Sequence, residues 1–241
     1  MPLPTLMFAI LPNLDDATRV DPTEDGAGWH TSNTHLTLKA PDGGHVFEPL
    51  TALGYVRPDH KLERAKAYSI IGPFGHDVIS GKSIIEHCRD TKKEVIINPQ
   101  EYEHLAGKAV VNGLGMIVDF YFEDVDDVTG WELTVNAKHD WFDPRVSRFK
   151  QIVVHYAATE SSRFWPIQTE ELKEFVITYH FVLFTPISFD WPQIAVGAKM
   201  MLHGSVIRKD PISGWFIVKS EFVNHLLVFW NGSLLPDQLL S

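Results

Sequence analysis

Met200-Met201-Leu202-His203-Gly204-Ser205-Val206-Ile207 leads through Arg208-Lys209-Asp210-Pro211-Ile212-Ser213-Gly214 into Trp215-Phe216-Ile217-Val218, and this stretch decides the fold class. β-Branched and aromatic residues stand on both sides of a loop rich in Asp, Pro and Gly, the pattern of two antiparallel strands joined by a longer turn. The pattern also occurs upstream. Residues 109–122 run through acidic Glu123-Asp124-Val125-Asp126-Asp127 and Val128-Thr129-Gly130 into Trp131-Glu132-Leu133-Thr134-Val135. In both hairpins glycine is expected to permit the tight approach, and tryptophan to anchor the returning strand on the core. A third step, Gly28-Trp29, follows a long acidic loop without a partner strand of similar quality and is not read as a further copy.

Strands are expected around these hairpins at residues 6–11, 67–71, 95–97, 151–157 and 175–184, with 221–230 open between helix and strand. Residues 35–39 alternate apolar with polar, and Pro41-Asp42-Gly43-Gly44 turns the chain into His45-Val46-Phe47, a local hairpin signal. A short helix is predicted over 83–93, where Ile84, Ile85 and Cys88 share one face, and a helical turn over 100–105. The class is therefore mainly β, all-β or β-dominated α+β: an antiparallel barrel or sandwich with one or two short helices. Long strands bearing Gly113, Gly115 and Gly204 resemble the curved first strands of OB-like barrels, which admits two OB-like halves. An antiparallel sandwich reuses the same hairpin chemistry. The division that follows is 1–64 (hairpin and loops), 65–160 (first Gly-Trp hairpin) and 161–241 (second Gly-Trp hairpin), and the same segments also fit a single domain.

At 241 residues, 44% hydrophobic and 22% charged, the chain has the composition of a folded domain with a sizeable core. One cysteine, Cys88, excludes an internal disulfide and points to an intracellular, cytoplasmic or nuclear setting. Cys88 is expected buried and inert on the helix face. No basic-then-apolar leader and no run long enough to span a bilayer is present, so no membrane partner is expected. A net charge of −10 weighs against general affinity for phosphate backbones.

Four chemistries are weighed. Residues 75–83 end in Gly81-Lys82-Ser83 between an expected strand and an expected helix, the setting of a phosphate-binding loop. The first glycine, however, falls at 75, one place too early, and His76 stands where it is needed. Twelve histidines invite a metal, yet no His-x-His, His-Glu-x-x-His or Cys-x-x-Cys spacing occurs. His30 and His35 are oddly separated and would face opposite sides of a strand, so no metal and no cofactor is expected. His155, His180 and His203 sit in apolar strands and are the candidates for a catalytic His/carboxylate site in a barrel mouth. Phe120, Phe122 and Trp141 beside Lys138, Arg145 and Arg148 offer rings and cations for a single strand of nucleic acid.

The reading that results is a non-catalytic, β-barrel-like binding or interaction module. Its partner would be another protein, a second copy of the chain, or single-stranded nucleic acid. The alternatives are the barrel-mouth enzyme and a nucleotide-binding protein using the 75–83 loop.

Overall fold

The computed structural model describes residues 4–20, 26–77, 81–126, 130–142, 172–184, 194–220 and 228–229. The N-terminal strands are β1 Leu6–Pro12, β2 Thr18–Arg19, β3 Gly28–Lys39, β4 His45–Val56, β5 Ala67–Asp77, β6 Lys82–His87 and β7 Lys92–Val95. The C-terminal ones are β8 Val110–Asp126, β9 Gly130–Phe142, β10 Leu172–Phe184, β11 Lys199–Lys209, β12 Phe216–Ser220 and β13 Val228–Phe229. Short 3-10 helices occupy Pro58–His60 and Pro99–Leu105, the second capped by Asn98, whose side chain accepts the Gln100 N–H. The protein is β-dominated, as its alternation and turns imply.

Five C-terminal strands close a ring. β8 pairs antiparallel with β9, β9 with β10, β12 with β11, and β11 returns to β8, while β10 and β12 run parallel. In chain order the circuit is 1-2-3-5-4-1. Five N-terminal strands follow the same order: β3 pairs with β4, β4 runs parallel with β6, β6 pairs with β5, and β5 with β1. That ring returns from β1 to β3 at the Asn13↔Thr34 bridge, where the Leu14 N–H donates to Asn33 O and the Thr34 hydroxyl to Pro12 O. The first strands of the two rings pair with each other, Leu6↔Asn112 through Phe8↔Val110, so one sheet runs through both.

This topology revises several sequence expectations. The hairpins at Trp131 and Trp215 are not equivalent copies in separate halves; they are strands 1–2 and 4–5 of one ring, paired through β8 and β11. The equivalent of Gly130-Trp131 is Gly28-Trp29, which opens the second strand of the first ring and pairs along twelve residues with β4. Trp215 lies half-buried just ahead of β12, and Phe216 takes the core position expected of it. The boundary expected near 161 lies outside the described residues.

The helix expected over 83–93 is strand β6, a turn and strand β7. Ile84 and Ile85 are both buried because β6 sits between β4 and β5, and a strand buried on both faces carries no alternation to tell it from a helix. Cys88 falls in the turn that follows and is exposed. β5 continues through Gly72-Pro73, where a stop was expected, because Pro73 only has to pair with Leu6 at the end of β1.

Aromatic rings fill the space between the two barrels. Phe74 of β5 makes edge contacts with Phe175 of β10 at 5.7 Å and Phe216 of β12 at 5.5 Å, all three fully buried. Trp141 of β9 lies flat against the backbone of β5, so that a Cβ on Gly75 would stand 2.2 Å from its ring. Its indole N–H points to the Glu86 carboxylate at 3.4 Å. Gly113 and Gly115 serve contact as well: a Cβ there would meet Thr5 at 2.6 Å and the His139 ring at 2.8 Å. The imidazole so accommodated is fully buried between the Thr5 hydroxyl at 2.9 Å and the Tyr179 hydroxyl at 3.1 Å.

Candidate functional site

The groove with the richest chemistry lies on the outer face of strands β3 and β4. Register places His35 opposite Pro49, Asn33 opposite Thr51 and Thr37 opposite Phe47 on that face. Leu14 closes one end, and Gly81, Lys82 and Ser83 at the β5–β6 turn form the edge of a 660 Å³ hollow. The hairpin that carries Phe47 is held by its own tip, where Gly43 takes φ 89° and the Gly44 N–H donates to the Asp42 carboxylate at 3.0 Å.

Four rings run across this face. Phe47 packs on His35 at 4.3 Å and on His45 at 5.1 Å, and Tyr102 of the 3-10 helix meets His35 edge-on at 6.3 Å. Phe47 leaves 51% of its surface open, whereas His35 is only 8% exposed. Burial pushes the His35 imidazole below its ordinary range, so it is neutral near pH 7. The Asp15 carboxylate nearby accepts both the Asn33 N–H and its amide, and Glu48 is held by Lys209 at 2.6 Å. The Lys82 side chain is exposed at the rim. An apolar, ring-lined floor with one cation at its edge can stack a flat ligand and attract its negative charge.

The residues singled out from sequence fall elsewhere. Phe120 and Phe122, 5.9 Å apart, are partly buried against the core, and Trp141 is 1% exposed, so the indole offers no stacking surface. Lys138 is engaged by Glu174 at 2.8 Å. The outer face around it carries Asp119, Glu132, Asp140 and Glu174, together with the exposed Tyr121 ring, while Phe120, Phe122 and Trp141 pack toward the core. Arg145, Arg148 and His155 lie outside the described residues.

His180 stands half-buried on the outer wall of β10, depressed by burial and then by Arg208, while Glu132 and Glu123 act the other way. His203 is exposed on β11, and β12 lies between these two strands, so the two histidines do not converge in a barrel mouth. His30 and His35 do face opposite ways: the pairing of β3 with β4 shows no register shift, and His30 bonds the Gly28 carbonyl at 3.0 Å.

Gly81 leads into a strand that Lys82 and Ser83 open, not into a helix, which removes the helix N-terminus that a phosphate-binding loop requires. Ser83 is buried against the His76 ring at 2.9 Å and is not available to a cation. Lys82 therefore belongs to the groove edge. Sequence reasoning passed over Phe47 and Tyr102, which stand apart from any aromatic run. The available signal was the Pro41–Gly44 turn, since it fixes Thr37 opposite Phe47 and so puts that phenylalanine on the outer face.

The strand circuit 1-2-3-5-4-1, with its single parallel pair between strands 3 and 5, defines an OB-like β-barrel protein. No known family profile matches the chain, and no curated protein matches it. Among solved structures it is similar to a deletion mutant of the single-stranded DNA binding protein from Thermus aquaticus. That pair shares 11% identity over 98% of this chain and 99% of the other, with a TM-score of 0.42. It is also similar to the Ifi202 HINa domain in complex with 20bp dsDNA, at 11% identity over 93% and 97% of the two chains and a TM-score of 0.24. The fold assignment rests on the strand pairings themselves.

Proposed function

We propose that this protein is a non-catalytic binding module for single-stranded nucleic acid, and that the β3–β4 groove is its binding surface. OB barrels hold oligonucleotides on the face of strands 2 and 3, flanked by the loop between strands 4 and 5. In the first ring those elements are β3, β4 and the β5–β6 turn, which are the walls of the groove. The observation that carries the reading is the exposed Phe47 ring on that face, backed by His35 and lining the same hollow as Lys82. Every base has a π-face, so such a ring accepts bases with little regard to sequence.

The acidic balance shapes the expected behaviour. With Lys82 the principal cation at the groove, one or two phosphates are neutralised, and log K should fall against log salt with a slope of about −0.7 to −1.4. Fluorescence anisotropy with a labelled oligothymidine at two salt concentrations tests this. Phe47→Ala should weaken binding by about 5- to 150-fold, the range for loss of one stacked base. Tyr121→Ala, on an exposed position of the acidic β8 face, should leave it unchanged. An unaltered affinity in Phe47→Ala would remove the groove from consideration.

A protein partner is the second reading, favoured by Leu6 (41% exposed), Phe8 (40%) and Ile71 (51%) on neighbouring β1 and β5. Phe8→Asp should then abolish any self-association seen by light scattering; a monodisperse monomer in the wild type counts against a second copy as that partner.

A further inference from the structure

The outer face of β3 at the groove holds two polar atoms without a partner among the described residues. The His35 Nε2 and the Thr37 Oγ1 are both shut off from solvent, and neither has a hydrogen-bond partner among the described residues. Both belong to the outer face of β3, and both adjoin Phe47: Thr37 is its register partner and His35 carries its ring at 4.3 Å. An orphaned buried donor or acceptor is destabilising, and an apolar residue of the same shape would remove the defect. The Phe47 ring against His35 is, by contrast, half open to solvent, and exposed side chains change rotamer readily.

We infer that Phe47 is a movable cover over a base-reading contact. When a base stacks on Phe47, the ring swings off the floor, and the uncovered His35 Nε2 hydrogen-bonds the edge of that base. The inference rests on the groove being a single-strand site, and it adds selectivity to that reading. A neutral imidazole offers one ring nitrogen as donor and the other as acceptor, so Nε2 can make a single directional bond whose partner must be of matching kind. Stacking alone cannot distinguish bases; this contact can. The ligand class is thus a single strand with a free Watson–Crick edge, the edge that pairing occupies in a duplex.

The test titrates wild type, His35→Phe and Phe47→Ala with oligothymidine, oligocytidine, oligoadenosine and an abasic strand of equal length. Wild type should separate the three homopolymers by roughly 10-fold, the discrimination expected of one buried hydrogen bond made or left unmade. His35→Phe keeps a ring under Phe47 but has no nitrogen, and should bind all three within about twofold of one another. Its melting temperature should equal or exceed that of the wild type, because the orphaned atom is gone. If this variant is destabilised instead, the 15N shift of His35 Nε2 in wild type decides, and it should move on adding the preferred strand.

Equal wild-type affinity for all homopolymers, unchanged ranking in His35→Phe, or an unmoved His35 resonance overturns the inference while leaving the groove as a binding surface. Failure of wild type to bind any strand overturns both.

Discussion

Replacing Gly75 with alanine tests how the two barrels are joined. An ideal Cβ at this position would lie 2.2 Å from Trp141 Cδ2, 2.3 Å from Cγ and 2.6 Å from Cε2. Ordinary carbon contacts begin near 3.5 Å, so the indole has to retreat by roughly 1 Å or β5 has to move away from it. Neither is easy. Trp141 is 1% exposed, the Lys173 ammonium stands 5.6 Å from its ring, and Phe74 next to Gly75 is fixed by Phe175 and Phe216. Overpacking of a filled core costs about 1–3 kcal/mol, and outright expulsion of the indole approaches the about 3–5 kcal/mol of a Trp→Ala change.

We therefore expect Gly75→Ala to lose about 3 kcal/mol. Urea unfolding followed by fluorescence and circular dichroism measures it, with an unchanged slope showing that the same surface is exposed. The decisive comparison is the double variant Gly75→Ala/Trp141→Ala, which should be no less stable than Trp141→Ala alone, because the clash needs both partners. A loss below about 1 kcal/mol in Gly75→Ala, or strict additivity in the double variant, refutes the packing argument.

Other expectations are simpler to check. Burial holds His139 at about 4 and His87 at about 3 in the folded protein, against 6.5 for an ordinary histidine, so unfolding takes up protons below that value. Stability should be full above pH 6.5 and decline as pH falls toward 4, by up to about 1.4 kcal/mol per unit for each histidine. Urea midpoints at pH 7, 6 and 5 measure the decline, and His139→Gln should make it shallower. Cys88 is exposed, and its thiol is lowered chiefly by a hydrogen bond with the Thr91 side chain, so it should alkylate faster than a model thiol and slow in Thr91→Val. Glu48→Gln breaks the partly buried pair with Lys209 between the barrels and should reduce stability by under about 1 kcal/mol, less at high salt.

Local chemistry was legible where one short segment carries its own geometry. The Pro41-Asp42-Gly43-Gly44 turn fixes a hairpin because Asp caps a backbone N–H and glycine takes a positive φ, whatever surrounds them. The same holds for Asp210 and Gly214 ahead of β12, where the carboxylate collects the Ile212 and Ser213 N–H groups and Gly214 takes φ 73°. Ile84-Ile85 misled because apolar spacing reports only that a face is buried, and β6 is buried on both. Gly75 misled because its sequence setting suits a phosphate loop, while its actual neighbour is an indole sixty-six positions away along the chain.

What the sequence by itself determined is the β-dominated class, the turns and the absence of an internal disulfide, all set by residue type, period and composition. What only the tertiary structure decided is which strands are equivalent, that Gly28-Trp29 and Gly130-Trp131 open the same strand of two like circuits, and where a ligand can lie. The reason is physical: ring closure and strand exposure depend on pairings between distant segments. Phe120 and Phe122 pack against the core while Tyr121 between them is exposed, and which face of each strand meets the core is set by those distant pairings.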